Sequence, residues 1–316
     1  MLATLHTPRG RTILRRVVIT AVTIPLVFAL AFATLVFLWL SGVKIPFASG
    51  ATWMKVEKVG RATYAGDQTA PVFILVVGND ARADIGGARG DAIHVIGINP
   101  TTKQASMIDI PRDTEVAIPG HGRNKVNAAF ASGGIGLQAK AISDLIGIDL
   151  SYAITTNFDG FTHLVDELGG IDVDVKDKHT DKNYSGAMFD PGVQHMDGGQ
   201  ALAFSRDRHS FPTSDLKRTE NQGTLILSAL ATLQARNPGI TDVFGYLTTL
   251  MRHTEIQGMD VPELYSLGQL ALSLDPAQIR NVVLPVGSGH GSNLAVGASA
   301  AGLFADFRDD AILQTH

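Results

Sequence analysis

Seven consecutive residues, Ala203-Phe204-Ser205-Arg206-Asp207-Arg208-His209, place two arginines at alternate positions behind an apolar run, and Arg218 and Gln222 follow. If the segment is extended, Arg206 and Arg208 point the same way, because successive side chains of a strand alternate between faces. Asp215 stands just ahead of a helical pattern, Thr219 to Gln234, and Arg218 and Gln222, four apart, share a helix face. A guanidinium stays charged, and its planar fork matches phosphate oxygens two at a time. Three of them meeting at one spot suit a polyanion. Surface arginines paired with nearby acids are the plainer alternative.

Other charged residues cluster at the ends of apolar runs. Asp80 and Arg82 follow Val72 to Val77, Arg89 and Asp91 precede Ala92 to Asn99, and Arg112 and Asp113 follow Gln104 to Ile110. Ligands of open α/β sheets bind beyond the carboxyl ends of strands. If the first and third runs are strands of like direction, Asp80, Arg82, Arg112 and Asp113 lie at one sheet edge. The turn Pro100-Thr101-Thr102-Lys103 makes the second run antiparallel to the third, which brings Arg89 and Asp91 to the same edge.

Two carboxylates beside arginines suit Mg²⁺, or Mn²⁺ in its place, since such an ion takes one or two carboxylates and fills its shell with water and substrate phosphate. An acidic residue there could also serve as base for an attacking hydroxyl. The chain offers no Cys nucleophile, no P-loop, no GxGxxG ahead of a helix and no GxSxG elbow, and none of its 10 His residues forms an HExxH pair. What is left is a site that positions a phosphoryl group and neutralises its charge, which accounts for most of phosphoryl-transfer catalysis. Plainer roles compete. Asp80 and Asp91 could be structural partners of Arg82 and Arg89, and Asp113 a turn cap. His94 reads as a packed core residue, His209 as a weak proton carrier, and Lys125 and Asn127 as structural or peripheral.

The elements that must position these groups alternate in type. A first strand is expected near Thr52–Val59. Three strands follow at Val72–Val77, Ala92–Asn99 and Gln104–Ile110, the first apolar enough to be buried on both faces. Gly120 to Lys125 reads as a polar loop. Asn127 to Ala131 reads as a helical turn that Gly133-Gly134 breaks, before helix Leu137–Ile146. Strand Tyr152–Thr156, helix Phe158–Leu168 ended by Gly169-Gly170, and a half-buried edge strand Ile171–Val175 come next. Lys176 to Gly192 reads as a mobile loop. Asp197 caps a short helix from Gly198 to Phe204. Helices are expected at Ile240–Met251, at Val261–Leu274 with Asp260 as cap and Pro262 in the first turn, and at Ala300–Arg308. A last strand, Ile279–Leu284, leads into a Gly/Ser-rich loop, Gly287 to Asn293. The fold class is α/β, a sandwich around a mixed sheet.

The chain has 316 residues and a net charge of −4. That balance argues against a nucleic acid partner, which would call for a basic domain. Val17 to Leu40 carries no charged residue, and as a helix it would run about 36 Å, enough to cross a bilayer. Arg9, Arg11, Arg15 and Arg16 precede it, and only Lys44 lies between it and Lys55. The expectation is an uncleaved single-pass anchor at the cell membrane, residues 17–40, with residues 1–16 cytoplasmic and the rest outside. A cleaved signal peptide would have a shorter apolar core. Residues 41–70 read as a connector and 71–316 as the catalytic domain.

Five motifs then resemble the LytR-CpsA-Psr (LCP) family: Gly78-Asn79-Asp80-Ala81-Arg82; Arg89-Gly90-Asp91; Ile108-Asp109-Ile110-Pro111-Arg112-Asp113-Thr114; Asn124-Lys125-Val126-Asn127-Ala128-Ala129-Phe130; and Met196 through Arg208 with Arg218 and Gln222. The likeness is dense from Pro71 to Leu233. It implies a membrane-anchored phosphotransferase that moves a glycopolymer from a polyprenyl-pyrophosphate carrier to a peptidoglycan sugar hydroxyl. A non-catalytic polyprenyl-phosphate binder and a lipid pyrophosphatase are the alternatives. By matching motifs, Asp80 and Asp91 correspond to the Mg²⁺-associated carboxylates. Arg89, Arg112, Arg206, Arg208 and Arg218 correspond to pyrophosphate-binding arginines, with Gln222 a polar contact; Arg82 joins the expected pyrophosphate set. The implied fold is an α/β/α sandwich with an apolar lipid tunnel, for which Leu137–Ile146, Phe158–Leu168 and Leu225–Leu233 are possible walls, or else ordinary core. One departure stands out: many members carry Arg-Gln-Gln where this chain has Asn221-Gln222-Gly223.

Overall fold

The computed structural model describes residues 52–61, 64, 66, 68–80, 88–236 and 254–314. The expected membrane span, Arg82 and the helix expected at Ile240–Met251 lie outside the described residues. Among those described, no helix is long and apolar enough to cross a membrane.

Strands β1 (Met54–Lys58), β2 (Val72–Asn79), β3 (Gly90–Asn99) and β4 (Gln104–Asp109) come first, then the hairpin β5 (Glu115–Ile118) and β6 (Gly122–Lys125). Helix α1 (Val126–Ile146), strand β7 (Tyr152–Thr156) and helix α2 (Phe158–Glu167) follow. Next are β8 (Ile171–Val175), β9 (His179–Asp181), β10 (Ala187–Phe189), β11 (Gly192–Met196), α3 (Gly198–Arg206) and α4 (Asp215–Ala235). The last part holds β12 (Thr254–Gln257), α5 (Val261–Leu272), β13 (Arg280–Val283), β14 (Val286–Ser288), β15 (Leu294–Val296) and α6 (Ala300–Asp310).

Seven strands make one mixed sheet in the order β12-β1-β7-β2-β3-β4-β13. Both β2 and β4 are antiparallel to β3, so they run alike, as the turn at Pro100 requires. β7 is parallel to β2 and β13 to β4, which sets four carboxyl ends at one edge. β1 is an integral strand where one was expected near Thr52–Val59, so Met54–Lys58 of the expected connector belongs to the sheet.

Pleat alternation separates the two faces. Leu75, Val77, Ile93, Val95 and Ile108 pack with Ile142 and Ile146 of α1 and Phe307 of α6 into one continuous core. The helix Leu137–Ile146 is therefore core on this face, not a tunnel wall. The other face carries two separate apolar clusters. One joins Val165 of α2, Phe204 of α3 and Leu225 of α4 to β8 and β11. The other joins Val72, Ile98 and Tyr152 to Leu270 of α5. The site forms between the first of these clusters and the sheet edge at Val76, Gly78, Ala92 and His94.

Local chemistry sets the element ends. Asn157 accepts a hydrogen bond from the Gly160 N–H at 2.8 Å, and Asp197 with Gln200 forms a reciprocal capping box at the start of α3. Gly133 and Gly134 break α1 as expected, Gly134 adopting φ +66°. The structure corrects three expected loops. Gly122–Lys125 pairs with β5 as a hairpin. The stretch 287–293 is closed by β14 against β15. The expected mobile loop 176–192 contains the hairpin β9–β10, because His179 is buried among Phe189, Phe204 and Phe211 and its Nδ1 lies 2.6 Å from Asp207 Oδ2. The strand Ile171–Val175 alternates in burial as expected, but it pairs with β11 outside the main sheet. The helix α4 starts at Asp215, four residues earlier than its pattern.

Candidate active site

A cavity of about 630 Å³ opens at the common carboxyl edge of the sheet, and its lining is divided. At the mouth stand Asp80, Asp91, Arg112, Arg206, Arg208 and Arg218. Behind them the wall is apolar, from Phe161, Leu164 and Leu168 of α2 across to Leu225, Ile226 and Ala229 of α4. Two of the three segments expected as walls, Phe158–Leu168 and Leu225–Leu233, thus contribute lining residues to this cavity, both from the cluster that joins α2, α3 and α4.

Each mouth residue has a local reason for its place. Asp80 follows the last residue of β2 and accepts the Arg89 N–H at 2.6 Å, while its own N–H donates to the Arg89 carbonyl at 3.1 Å. Arg89 itself is exposed and does not line the cavity. Pro111 to Thr114 turns sharply, the Thr114 N–H donating to the Pro111 carbonyl at 3.0 Å, which throws Arg112 back over the sheet edge. There Arg112 Nη1 meets Asp91 Oδ2 at 2.5 Å, and Asn127 Nδ2 donates to Asp91 Oδ1 at 2.9 Å. Asp113 turns away and pairs with Lys125 at 2.8 Å. The plainer pairing of Asp91 with Arg89 therefore gives way to Asp91 with Arg112.

Asp215, in the first turn of α4, extends the chain of charges. It lies 3.5 Å from Arg112 Nη2 and 3.0 Å from Arg218 Nη2. Burial opposes the charge on Arg112, but Asp91, Asp215 and Asp113 outweigh it and hold the guanidinium above its ordinary value. Burial wins at Arg218, whose value falls despite Asp215, with Arg112 adding repulsion. Gln222, one turn on, donates from Nε2 to the Ser205 carbonyl at 3.1 Å and ties α4 to the end of α3. Arg112 Nε, Arg218 Nε and Gln222 Oε1 are buried with no hydrogen-bond partner. Buried polar atoms are seldom left so, and the two guanidinium donors among them suit an anion.

The premise of an extended Arg206–Arg208 segment is corrected. Arg206 is the last residue of α3, its guanidinium 5.1 Å from the centre of the Phe158 ring, and the chain becomes extended at Asp207. Both arginines still line the cavity. His209 reaches the wall too, its Nδ1 3.0 Å from Asp181 Oδ2 and its ring 4.1 Å from that of Tyr184. The lining residues Tyr184 and Ser185 come from the hairpin that composition had suggested was a loop. Sequence reasoning assigned no role to Asp215 or Tyr184. The spacing of Asp215 three residues before Arg218 was the available signal, since such pairs meet on a helix.

The donor set fits a hard divalent cation in a limited way. Two carboxylates, Asp80 and Asp91, line one cavity with phosphate-type donors, and Asp80 Oδ1 is held by a backbone N–H. Among the described residues no group of three or more His, Cys, Asp or Glu could form an all-protein cage. That is the donor pattern of an ion completed by water and substrate phosphate.

Residues 43–301 match the LytR_cpsA_psr family. The chain belongs to this family. The polyisoprenyl-teichoic acid–peptidoglycan teichoic acid transferase TagU of Bacillus cereus (strain AH820) is 36% identical over 156 residues, 49% of this chain and 50% of TagU. The chain thus spans about half the length of such curated relatives. The crystal structure of Bacillus subtilis TagT superposes with a TM-score of 0.61 at 25% identity, covering 80% of this chain and 96% of TagT. TagT with bound octaprenyl pyrophosphate lipid gives a TM-score of 0.58 at 23% identity, covering 80% and 94%, a likeness of fold. The α/β/α sandwich of this LCP chain is the fold these proteins share.

Proposed function

We propose that this LCP protein is a membrane-anchored phosphotransferase that moves a glycopolymer from a polyprenyl-pyrophosphate carrier to a sugar hydroxyl of peptidoglycan. The observation that carries the reading is the divided cavity, cationic at the mouth and apolar behind. Its ligand must itself be divided, a compact polyanion joined to a long apolar chain, and a lipid pyrophosphate has that form. The likeness to the teichoic acid transferase TagU and to TagT with bound octaprenyl pyrophosphate points the same way. The expected anchor at 17–40, with the N-terminus cytoplasmic, would keep the chain on the membrane that holds such a carrier.

Arg112, Arg206, Arg208 and Arg218 bind the diphosphate in this reading, with Gln222 as a polar contact; Arg82 belongs to the expected set, and Arg89, outside the cavity lining, would act only from its rim. Asp80 and Asp91 would hold Mg²⁺ or Mn²⁺, which when bound neutralises phosphate charge. The acceptor hydroxyl oxygen forms a bond to the glycan-side phosphorus. The bond from that phosphorus to the bridging oxygen breaks, and its electron pair leaves with the polyprenyl phosphate. The hydroxyl proton passes to a carboxylate at the mouth. Fixed guanidinium groups aimed at the leaving phosphate favour the transition state without reorganising.

The test uses the full chain in detergent micelles with a lipid pyrophosphate-linked glycan, with and without Mg²⁺ and a peptidoglycan fragment. Transfer that needs both, and that is lost in Asp91→Ala, is expected. Release of polyprenyl phosphate without an acceptor would replace the reading by a pyrophosphatase. Binding with no turnover under any condition would replace it by a carrier-lipid binder.

A further inference from the structure

One buried ionisable pair on the cavity face takes no part in the mechanism above. His94 of β3 and Asp109 of β4 stand directly opposite each other in the sheet. His94 Nδ1 lies 2.6 Å from Asp109 Oδ1, with 2% and 0% of the side chains exposed. His94 nonetheless lines the cavity. Helix α4 passes tightly over the pair at Gly223, where a Cβ would stand 2.4 Å from both Asp109 Oδ2 and Asn281 Nδ2. No side chain at this position would fit above this carboxylate. The glycine and the buried pair are therefore parts of one arrangement.

The charge state follows from the surroundings. Asp109 Oδ2 is buried with no partner, and no Lys or Arg pairs with Asp109 among the described residues. A bare carboxylate there, against a neutral imidazole, would be a buried uncompensated charge, which is costly. The pair is balanced if one further proton is present. With that proton on the imidazole or on Asp109, one proton bridges Nδ1 and Oδ1, and Nε2 carries a hydrogen in either case. The ring then offers the cavity a donor.

Register gives the depth. Ala92 lies opposite Gly78 at the mouth, and His94 lies opposite Val76, two residues or about 7 Å further in. Along α4, Arg218 and Gln222 belong to the mouth, and Leu225 and Ile226 begin the apolar wall. Gly223, over Asp109, falls at the junction. Resting on the proposed function, we infer that His94, held by Asp109, donates a hydrogen bond from Nε2 to the lipid-side phosphate of the substrate, the group that leaves. In-line displacement puts the entering hydroxyl and the leaving oxygen on opposite sides of the phosphorus. A group on the tunnel side of the mouth is thus placed for the leaving oxygen and not for the acceptor. The Nε2 hydrogen stays on the imidazole, shared with a phosphate oxygen whose charge grows as the bridging bond breaks. No proton is consumed.

Two variants of the full chain in detergent micelles test this, with farnesyl phosphate and farnesol as binding probes and a lipid pyrophosphate-linked glycan as substrate. His94→Phe keeps a flat ring in this place and removes both nitrogens, the Nε2 donor among them. The double variant His94→Leu with Asp109→Ala removes both partners, and such paired removal can leave stability nearly unchanged. Farnesyl phosphate affinity is expected to fall at least fivefold in both, farnesol affinity to stay the same, and transfer to fall by about 10- to 100-fold, mainly in kcat. Unchanged farnesyl phosphate affinity in both variants would overturn the contact and leave the pair a packing device. A wild type that binds farnesyl phosphate through His94 but transfers nothing would instead overturn the proposed transferase and keep the contact.

Discussion

Two networks of buried charge sit at opposite ends of the same sheet, and they are built differently. At the amino end of β7, the Tyr152 hydroxyl donates to Glu263 Oε1 at 2.5 Å and accepts the Tyr64 N–H at 2.8 Å, while Lys58 reaches the same carboxylate at 3.2 Å. None of these side chains has a buried atom without a partner. Burial and the bond to Glu263 push the Tyr152 hydroxyl well above its ordinary range, so it remains a donor. At the carboxyl end, Asn127, Asp91, Arg112, Asp215 and Arg218 are linked in one chain, yet Arg112 Nε and Arg218 Nε are buried and unpaired. The first network is complete within the protein. The second leaves cationic donors facing a cavity, and that is how a binding site differs from a structural one.

The largest effects should separate the two ends most clearly. Arg112→Ala is expected to lower kcat/KM for glycan transfer by 10² or more, a loss of about 2.7 kcal/mol of transition-state stabilisation. Steady-state kinetics on a lipid pyrophosphate substrate would measure it, and a near-normal rate would remove Arg112 from the catalytic set. At the far end, Tyr152→Phe should leave turnover alone and destabilise the fold by about 1–3 kcal/mol, because the Tyr64 N–H and Glu263 each lose a buried partner. Denaturant melting tests this. A turnover defect with unchanged stability would reverse the assignment of the two ends.

Gly223→Ala probes the junction between these behaviours. The new Cβ would meet the Asp109 carboxylate and Asn281 at 2.4 Å, and overpacking of that kind typically costs about 1–3 kcal/mol. If His94 and Asp109 hold the leaving phosphate, the same change should also lower kcat. Loss of stability alone would assign the close approach to packing.

The unequal character of the two ends explains what could be read from the chain itself. The strands were legible because each apolar run ends in Gly, Pro or charge, and the turn at Pro100–Lys103 fixes the hairpin. Asp80, Asp91 and Arg112 were legible as neighbours because connectivity places strand ends together, whereas Arg206, Arg208 and Arg218, from the end of α3 to the start of α4, were marked only by their spacing; all six line one cavity. The His94–Asp109 pair was available and missed. His94 stands five residues before Asn99 and Asp109 five after Gln104, so the hairpin register already made them partners. An aspartate within the apolar run Met107 to Ile110 was the mark that this position needed one. The far network could not be read, since Lys58, Tyr152 and Glu263 meet only through tertiary packing across 205 positions of sequence. The hairpin β9–β10 was hidden for a related reason. Its polar composition describes its exposed residues, and its anchor is His179 bonded to Asp207, 28 positions away.

That hairpin yields the smallest expected effect. Asp181, buried at the end of β9, is held below the usual carboxylate range; burial works against the charge, but hydrogen bonds from His209 and Ser185 outweigh it. A depressed carboxylate contributes stability that is present above its unfolded value, about 3.9, and is lost as pH falls through its folded value. Relative to the intrinsic rate at each pH, amide exchange in residues 179–189 should therefore rise as pH falls below about 4, before the main sheet loosens. Asp181→Asn should show part of that rise at neutral pH, with a change in global stability under about 1 kcal/mol. Because Tyr184 and Ser185 of this hairpin line the mouth, a looser hairpin should raise KM more than it lowers kcat. Exchange that rises evenly across β2, β3 and the hairpin would mean that the mouth and the main sheet open as one unit.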